Sequence, residues 1–290
     1  MAYLSLSLLG SFQAWTENGQ QQTFRTSKER ALLAYLVVEH GRRHRREKLA
    51  EMLWPDRSES AARNSLRQAL YGIRQVLGAD GFDSIFTVTS HEVQATLNQH
   101  VWLDAAAYDV HFRAFQVHHQ SLPEPCGFCL AHLIDAVELY RGNFLEDVLI
   151  DENPEFQDWA ACRREQYLQQ QVQVLENLVE MYETMGDYSR AGFYMLRLIQ
   201  TGRAGEDRLR RIMLLLAQNG NPGAALEQYE LFRRRLLETQ SRSPSEETSA
   251  AAEQIRRGRL GLARQTGAAP RHNLPELLTP FIGREMELAW

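Results

Sequence analysis

The chain is almost devoid of lysine. Across 290 residues only Lys28 and Lys48 occur, and arginine supplies the rest of the 32 basic side chains. A guanidinium grips phosphate or guanine with two donors at once, which an ammonium does not do; a GC-rich genome would also favour arginine, so the bias alone decides nothing. Cysteine is scarce too, at three residues, and the alternating start MAYLSLSLLGSFQAW carries neither a basic leader region nor a cleavage site. Disulfides are thereby excluded as the organising device, and a cytoplasmic location is expected. No apolar run reaches the ~20 residues of a membrane span, so no membrane partner is expected. G-x4-G-K-[ST] is missing and neither lysine follows a glycine, which excludes an ATP site of P-loop type. Glu246-Glu247 and Asp151-Glu152 are paired carboxylates, but they fall in polar stretches that read as loops or caps. With no Ser/His/Asp set or hydrolase metal spacing, an enzyme is not expected.

The most informative absence is local: from Ala61 to Gly78 there is no acid. Within SESAARNSLRQALYGIRQVLG, residues 58–78, Leu66, Leu70, Ile73 and Leu77 recur at helical spacing and define a core-facing stripe. The other side offers Arg63, Asn64, Arg67, Gln68, Tyr71 and Arg74. An ordinary solvated face mixes both signs, whereas forks, amides and a phenol suit phosphates and base edges. The plain alternative is a solvated basic helix. Net charge is -5 overall. Residues 1–99 hold 12 basic against 10 acidic residues, and residues 100–290 hold 20 against 27, so the halves differ in sign. Residues 42–74 hold 9 basic against 4 acidic, so basic charge is concentrated around the opening helix.

Length suggests two domains, and 44% apolar with 24% charged residues is the composition of a globular protein. Residues 3–15 alternate through Leu4, Leu6, Leu8, Phe12 and Trp15, and an Asn-Gly turn follows in ENGQ, which predicts a small antiparallel sheet. Thr26 with Glu29 forms a capping box opening a helix with Leu32, Leu33, Tyr35 and Leu36 inward, ending near Gly41. A second helix, about Arg45 to Trp54, buries Leu49, Met52 and Leu53 and stops at Pro55. Asp56 with Glu59 is expected to cap the third, residues 58–77. SIFTVTS and HEVQATLN then alternate around Ser90-His91-Glu92 as a hairpin. Sheet, three helices and hairpin are the order of a winged helix, with the third helix as reader and the hairpin as wing.

TSKERALLAYLVVEHGRRHRREKLAEMLWPD followed by ARNSLRQALYGIRQVLG resembles the response-regulator-type winged helix of the Streptomyces antibiotic regulatory protein (SARP) family of transcriptional activators. The resemblance covers residues 1 to about 98. It implies that the third helix enters the major groove, that the wing touches the minor groove, that the loop Trp54–Glu59 faces RNA polymerase, and that the protein binds direct repeats in duplex DNA as a homodimer. The wing tip Ser90-His91-Glu92 lacks the arginine expected there.

From residue 101 the chain reads as helical throughout. Gly186-Asp187-Tyr188 and Asn219–Pro222 separate helix pairs at a spacing of about 34 residues, as in tetratricopeptide repeats. Small Ala191, Gly192, Ala224 and Ala225 sit where neighbouring helices pack. Text such as LYRGNFL and RRRLLE followed by SPSEET is similar to the bacterial transcriptional activator domain of the same family. The tyrosine, leucine and methionine stripes read as contacts between repeats, and the concave face of stacked pairs suits a protein partner or self-association.

VHHQSLPEPCGFCLAH is a separate constellation. Cys126 and Cys129 have the separation that lets two thiolates meet one ion, His132 lies one turn beyond Cys129, and His118 or His119 stands ready as a fourth donor. A structural zinc site, reduced thiols without metal and a redox pair all remain open, since a single C-x2-C is a weak signal. The segment AAPRHNLPELLTPFIGREMELAW begins as a linker and resembles the entry to the ATPase module of large signal-transducing regulators; a simple tail is the alternative.

The expected fold is mainly α with a small β component: a winged helix-turn-helix over residues 1–99, an all-α tetratricopeptide-like domain over 100–262, and a linker over 263–290. The expected function is sequence-specific DNA binding in transcription. Arg63, Asn64, Arg67, Gln68 and Tyr71 are expected in the major groove, Arg74 on phosphate, and Arg42, Arg43, Arg45, Arg46 and Lys48 on the DNA backbone. The rival is a protein-interaction scaffold whose winged helix has lost its DNA.

Overall fold

The structure, a computed structural model, describes residues 4–16, 19–99, 101–121, 126–150, 153–201 and 206–258. The resemblance read in the LTPFIGRE segment falls outside these residues. Strand β1 (Leu4–Ser7) pairs antiparallel with β2 (Gln13–Thr16), with Leu4 opposite Thr16 and Leu6 opposite Ala14. Leu4, Leu6, Leu8 and Phe12 are buried as their alternation predicts, but Ala14 points inward and Trp15 is only half-buried. Helix α1 (Ser27–Val38) opens where predicted: the Thr26 hydroxyl accepts the Glu29 amide at 3.1 Å, while Glu29 Oε2 accepts the Arg25 amide at 2.8 Å. Leu32, Leu33 and Leu36 are fully buried; Tyr35 is half-buried, its ring set between those of His44 and Trp159.

Helix α2 (Arg46–Leu53) buries Leu49, Met52 and Leu53 and ends just before Pro55. Helix α3 (Glu59–Leu77) follows; its N-cap is Ser58, whose side chain makes no capping bond, so the predicted Asp56 cap is corrected. Two short elements escaped the sequence reading: Arg43–Arg45 is a strand, β3, and Ala79–Ile85 is a helix, α4. The predicted hairpin is formed by β4 (Phe86–Val88) and β5 (Glu92–Ala95), and β3 is added to it in the order β3-β5-β4. Three residues are too few to display a period, and β3 exists only because β5 pairs with it antiparallel, Val93 opposite His44.

The expectation of unbroken helix from residue 101 also needs correction. Val101–Leu103 is a strand, β6, lying parallel to β1 and completing the sheet β2-β1-β6. Asp104 then turns the chain into helix α5 (Asp104–Ser121), and its buried carboxylate accepts the amides of Leu8 and Leu9 at 2.8 to 3.0 Å. Residues beyond 99 are thus stitched into the first sheet. Helix α6 (Gly127–Leu139) packs back on α5, and the segment after it bonds to the chain after β1: Leu145 N–H to Leu8 carbonyl at 2.8 Å, Gly10 N–H to Asn143 carbonyl at 3.1 Å. Gly10 takes φ +123°, and Gly142 passes so close that a Cβ there would stand 3.3 Å from Gly10 Cα. This crossing requires glycine.

The remaining helices are α7 (Pro154–Thr184), α8 (Tyr188–Gln200), α9 (Glu206–Gln218), α10 (Pro222–Gln240) and α11 (Glu246–Arg256), with each of α7 to α10 packed on the next. Asp187 and Asn221, about 34 residues apart, cap α8 and α10 by accepting the amides of Arg190 and Ala224. Ala191 and Ala225 are fully buried, and Gly192 lies under Leu216. One hydrophobic core runs from Leu4 to Ile255 through both halves.

Candidate nucleic-acid interface

The inner stripe of α3 is Leu66, Leu70 and Ile73, all buried, with Leu77 half-buried at its end. The helix lies close to α1: a Cβ on Gly72 would come 2.5 Å from Glu29 Oε1, so the near-buried Glu29 carboxylate occupies the space a side chain would need. That approach fixes the rotation of α3. Arg63, Asn64, Arg67, Gln68 and Tyr71 consequently face solvent, Tyr71 with 64% of its surface exposed. Asn64, Arg67, Gln68, Tyr71 and Gln75 form a continuous exposed stripe at helical spacing. Gln75 was missed by the sequence reading although its spacing of four from Tyr71 could have revealed it.

The guanidinium groups are not equivalent. Arg63 is paired with Glu59 on its own helix and reaches Glu47 of α2 at 3.6 Å, so acids from outside the acid-free stretch neutralise it. Arg74 is half-buried, bonded to Asp83 of α4 at 2.6 Å and held over the Phe82 ring. Arg67 bonds only to the Asn64 side-chain oxygen, at 2.7 Å, and among the described residues no carboxylate pairs with it. It carries the uncompensated charge at the middle of the stripe.

The basic residues around α2 fall into three groups. Arg43 and Arg45 occupy β3, which leads directly into α2 with Arg45 as its N-cap, and alternate with the inward His44, so both point to the exposed side of the wing sheet. Arg46 braces the wing: its N–H meets the His91 carbonyl at 2.8 Å and its guanidinium the Thr89 carbonyl at 3.0 Å. Arg42 and Lys48 are paired with Glu39 and Glu51, each at 2.8 Å. The wing tip itself is tied by the Thr89 hydroxyl, which accepts the amides of His91 and Glu92. Positive charge on the wing sheet thus comes from β3.

The loop from Trp54 to Glu59 stands exposed beyond the buried Trp54 ring, with Arg57 bonded to the Ser65 hydroxyl at 2.7 Å. Behind this face, Glu39 at the end of α1 joins the two halves. Only 6% exposed, it accepts Trp159 Nε1 at 2.9 Å and Arg163 at 2.5 Å from α7 and pairs with Arg42. Burial pushes its carboxyl up, but the Arg163 and Trp159 hydrogen bonds and the two guanidinium charges outweigh it and hold the group below the ordinary carboxylate value.

The Cys/His constellation divides in two. His118, Cys126 and Cys129 converge, with His118 Nδ1 3.3 Å from Cys129 Sγ and 3.7 Å from Cys126 Sγ. His132 does not join them, contrary to the predicted set: α6 carries it to His111, with the two Nδ1 atoms 2.9 Å apart and Asp135 beside them. His119 stacks on Phe115. The Cys129 amide bonds to Cys126 Sγ and holds that thiol below its usual range, whereas burial pushes Cys129 up to about 11.

A recognition helix presented between a wing and a short loop, ahead of stacked helix pairs, defines the class: a winged-helix regulator with a helical second half. The family described as transcriptional regulatory protein, C terminal, matches residues 20–93, and the bacterial transcriptional activator domain matches residues 125–256. In that order these domains make the chain a regulator of the SARP type; both are domains of transcription regulators, not of enzymes. Among solved structures the chain is similar to Mycobacterium tuberculosis EmbR in complex with a low-affinity phosphopeptide, at 20% identity and a TM-score of 0.61. The match covers 89% of this chain and 66% of EmbR, which supports a shared fold. No curated protein matches in sequence. Among the described residues no helix is long and apolar enough to cross a membrane.

Proposed function

We propose that this protein is a cytoplasmic transcriptional activator that reads duplex DNA with α3. The observation that carries the reading is the exposed stripe centred on Arg67, whose charge no carboxylate among the described residues neutralises. Arg67, Asn64, Gln68 and Tyr71 meet base edges in the major groove, because forked and amide donors discriminate bases there. Arg43 and Arg45 on β3 meet phosphate. Arg63 and Arg74 serve DNA only by exchanging a carboxylate for phosphate, so they contribute less. Residues 1–99 act as the DNA-binding unit and residues 100–262 as the unit for self-association or signal coupling; a homodimer on direct repeats, with the Trp54–Glu59 loop toward RNA polymerase, follows from the family. A salt titration of the full chain against mixed-sequence and genomically selected duplexes tests it. Affinity is expected to fall linearly with salt on logarithmic axes and to be greater for selected DNA. Lack of affinity at every salt would instead leave a scaffold of helical repeats.

A further inference from the structure

We propose that His118, Cys126 and Cys129 form a site for one thiophilic divalent cation of the zinc class, clamping the end of α5 to the start of α6. The proposal is independent of DNA binding. Tetrahedral zinc with sulfur at about 2.3 Å and imidazole nitrogen at about 2.05 Å requires nitrogen and sulfur to stand about 3.6 Å apart. The two observed separations, 3.3 and 3.7 Å, bracket that value with no ion needed to draw the side chains together. A disulfide would leave the imidazole without a role, whereas here one ring nitrogen faces both sulfurs.

The local fold prepares one of the two sulfurs. Cys126 is the N-cap of α6 and its sulfur accepts the Cys129 amide at 3.3 Å, so the helix start offers positive potential to that sulfur, while the buried Cys129 is placed by the helix within reach of the same imidazole. His118 lies in the last turn of α5, its ring packed 4.8 Å from that of Phe128, which fixes its plane. Two of the chain's three cysteines therefore meet a preset histidine, while the third, Cys162, is exposed on α7. Three protein donors leave a fourth position to water or an added ligand.

The neighbouring His111, His132 and Asp135 behave differently. Nδ1 atoms 2.9 Å apart are closer than the about 3.3 Å that two imidazoles on one tetrahedral ion require, and they suit a direct hydrogen bond between rings. His132 is thus an internal control.

The test is metal content of the purified, reduced full chain after reconstitution with zinc and removal of excess, together with the absorption spectrum after cobalt(II) substitution. About one zinc per chain is expected, with thiolate-to-cobalt charge transfer and intense tetrahedral visible bands. Cys126→Ser keeps a preferred N-cap and so should keep the fold, yet is expected to weaken zinc more than about tenfold, as should His118→Ala. His132→Ala and Cys162→Ser should retain the stoichiometry. Circular dichroism verifies each fold; should His118→Ala unfold, Cys126→Ser and the cobalt spectrum decide. The proposal is overturned by well under one zinc per chain without charge transfer, by undiminished zinc in Cys126→Ser, by loss in His132→Ala equal to that in His118→Ala, or by two thiols lost to a disulfide with no metal under any reducing condition.

Discussion

Most arginines of the helical half and three of the winged helix differ in their surroundings. In the helical half Arg190, Arg208, Arg210, Arg211, Arg233, Arg242, Arg256 and Arg257 each stand against an Asp or Glu, often one helical turn away. In the winged helix Arg43, Arg45 and Arg67 reach solvent with no ion pair among the described residues, Arg45 standing opposite Glu92 of β5, although the same unit pairs Arg42, Arg63 and Arg74. Among the described residues, exposed arginines without an ion pair occur in both halves, Arg113 and Arg234 among the helices, but only Arg67 stands at the middle of an exposed polar stripe built of Asn64, Gln68, Tyr71 and Gln75. A surface that evolves only for solubility interleaves its charges, so cations left single on one face mark where a polyanion supplies the missing charge.

The largest expected effect comes from breaking the seam between the halves. Glu39→Ala strips Trp159 and Arg163 of their acceptor and should cost about 2–4 kcal/mol in denaturant unfolding. Because the folded Glu39 value is depressed, its contribution is fully present above the unfolded value of about 4.5 and is lost as pH falls through the folded one. Stability of the native chain should therefore drop on acidification below 4.5, and the variant should show less of that drop. An unchanged acid profile would show that Glu39 is not the linked group.

Next in size is Arg67→Ala, expected to lose about 1–3 kcal/mol on a selected duplex and much less on random DNA. Equal losses on both would mean Arg67 touches phosphate alone. Arg45→Ala should weaken all duplexes alike and flatten the logarithmic salt slope by about one. At the small end, Arg233→Ala in α10 removes an exposed pair with Glu230 at 2.7 Å and should alter stability by less than about 1 kcal/mol, with no change on DNA. A large loss of DNA affinity there would erase the contrast between the halves.

The legible parts of the chain were those whose information is local. Thr26 with Glu29, Leu66 with Leu70 and Ile73, and the helix breaks at Gly186-Asp187-Tyr188 and Asn219–Pro222 each express themselves within one or two helical turns. Strand β6 was not legible, because Val101–Leu103 becomes a strand only when β1, nearly a hundred positions earlier, lies alongside. The same holds at the interface: the acid-free stretch showed no carboxylate near its arginines, yet Glu47 reaches Arg63 and Asp83 reaches Arg74 from other elements. In the Cys/His group, a spacing of three from Cys129 admitted His132, but packing of α6 on α5 turned that ring to His111.

By itself, the sequence determined the three main helices of the N-terminal unit, which face of residues 59–77 is apolar, and the order of winged helix before helical repeats, because each follows from periodicity and capping within a short window. Which cations remain single, which strands complete the sheets, and which histidine meets the two thiols were decided only by the tertiary structure. Those outcomes depend on distances between elements far apart in the chain, and Coulomb and hydrogen-bond energies are set by separation in space, whatever the spacing in sequence.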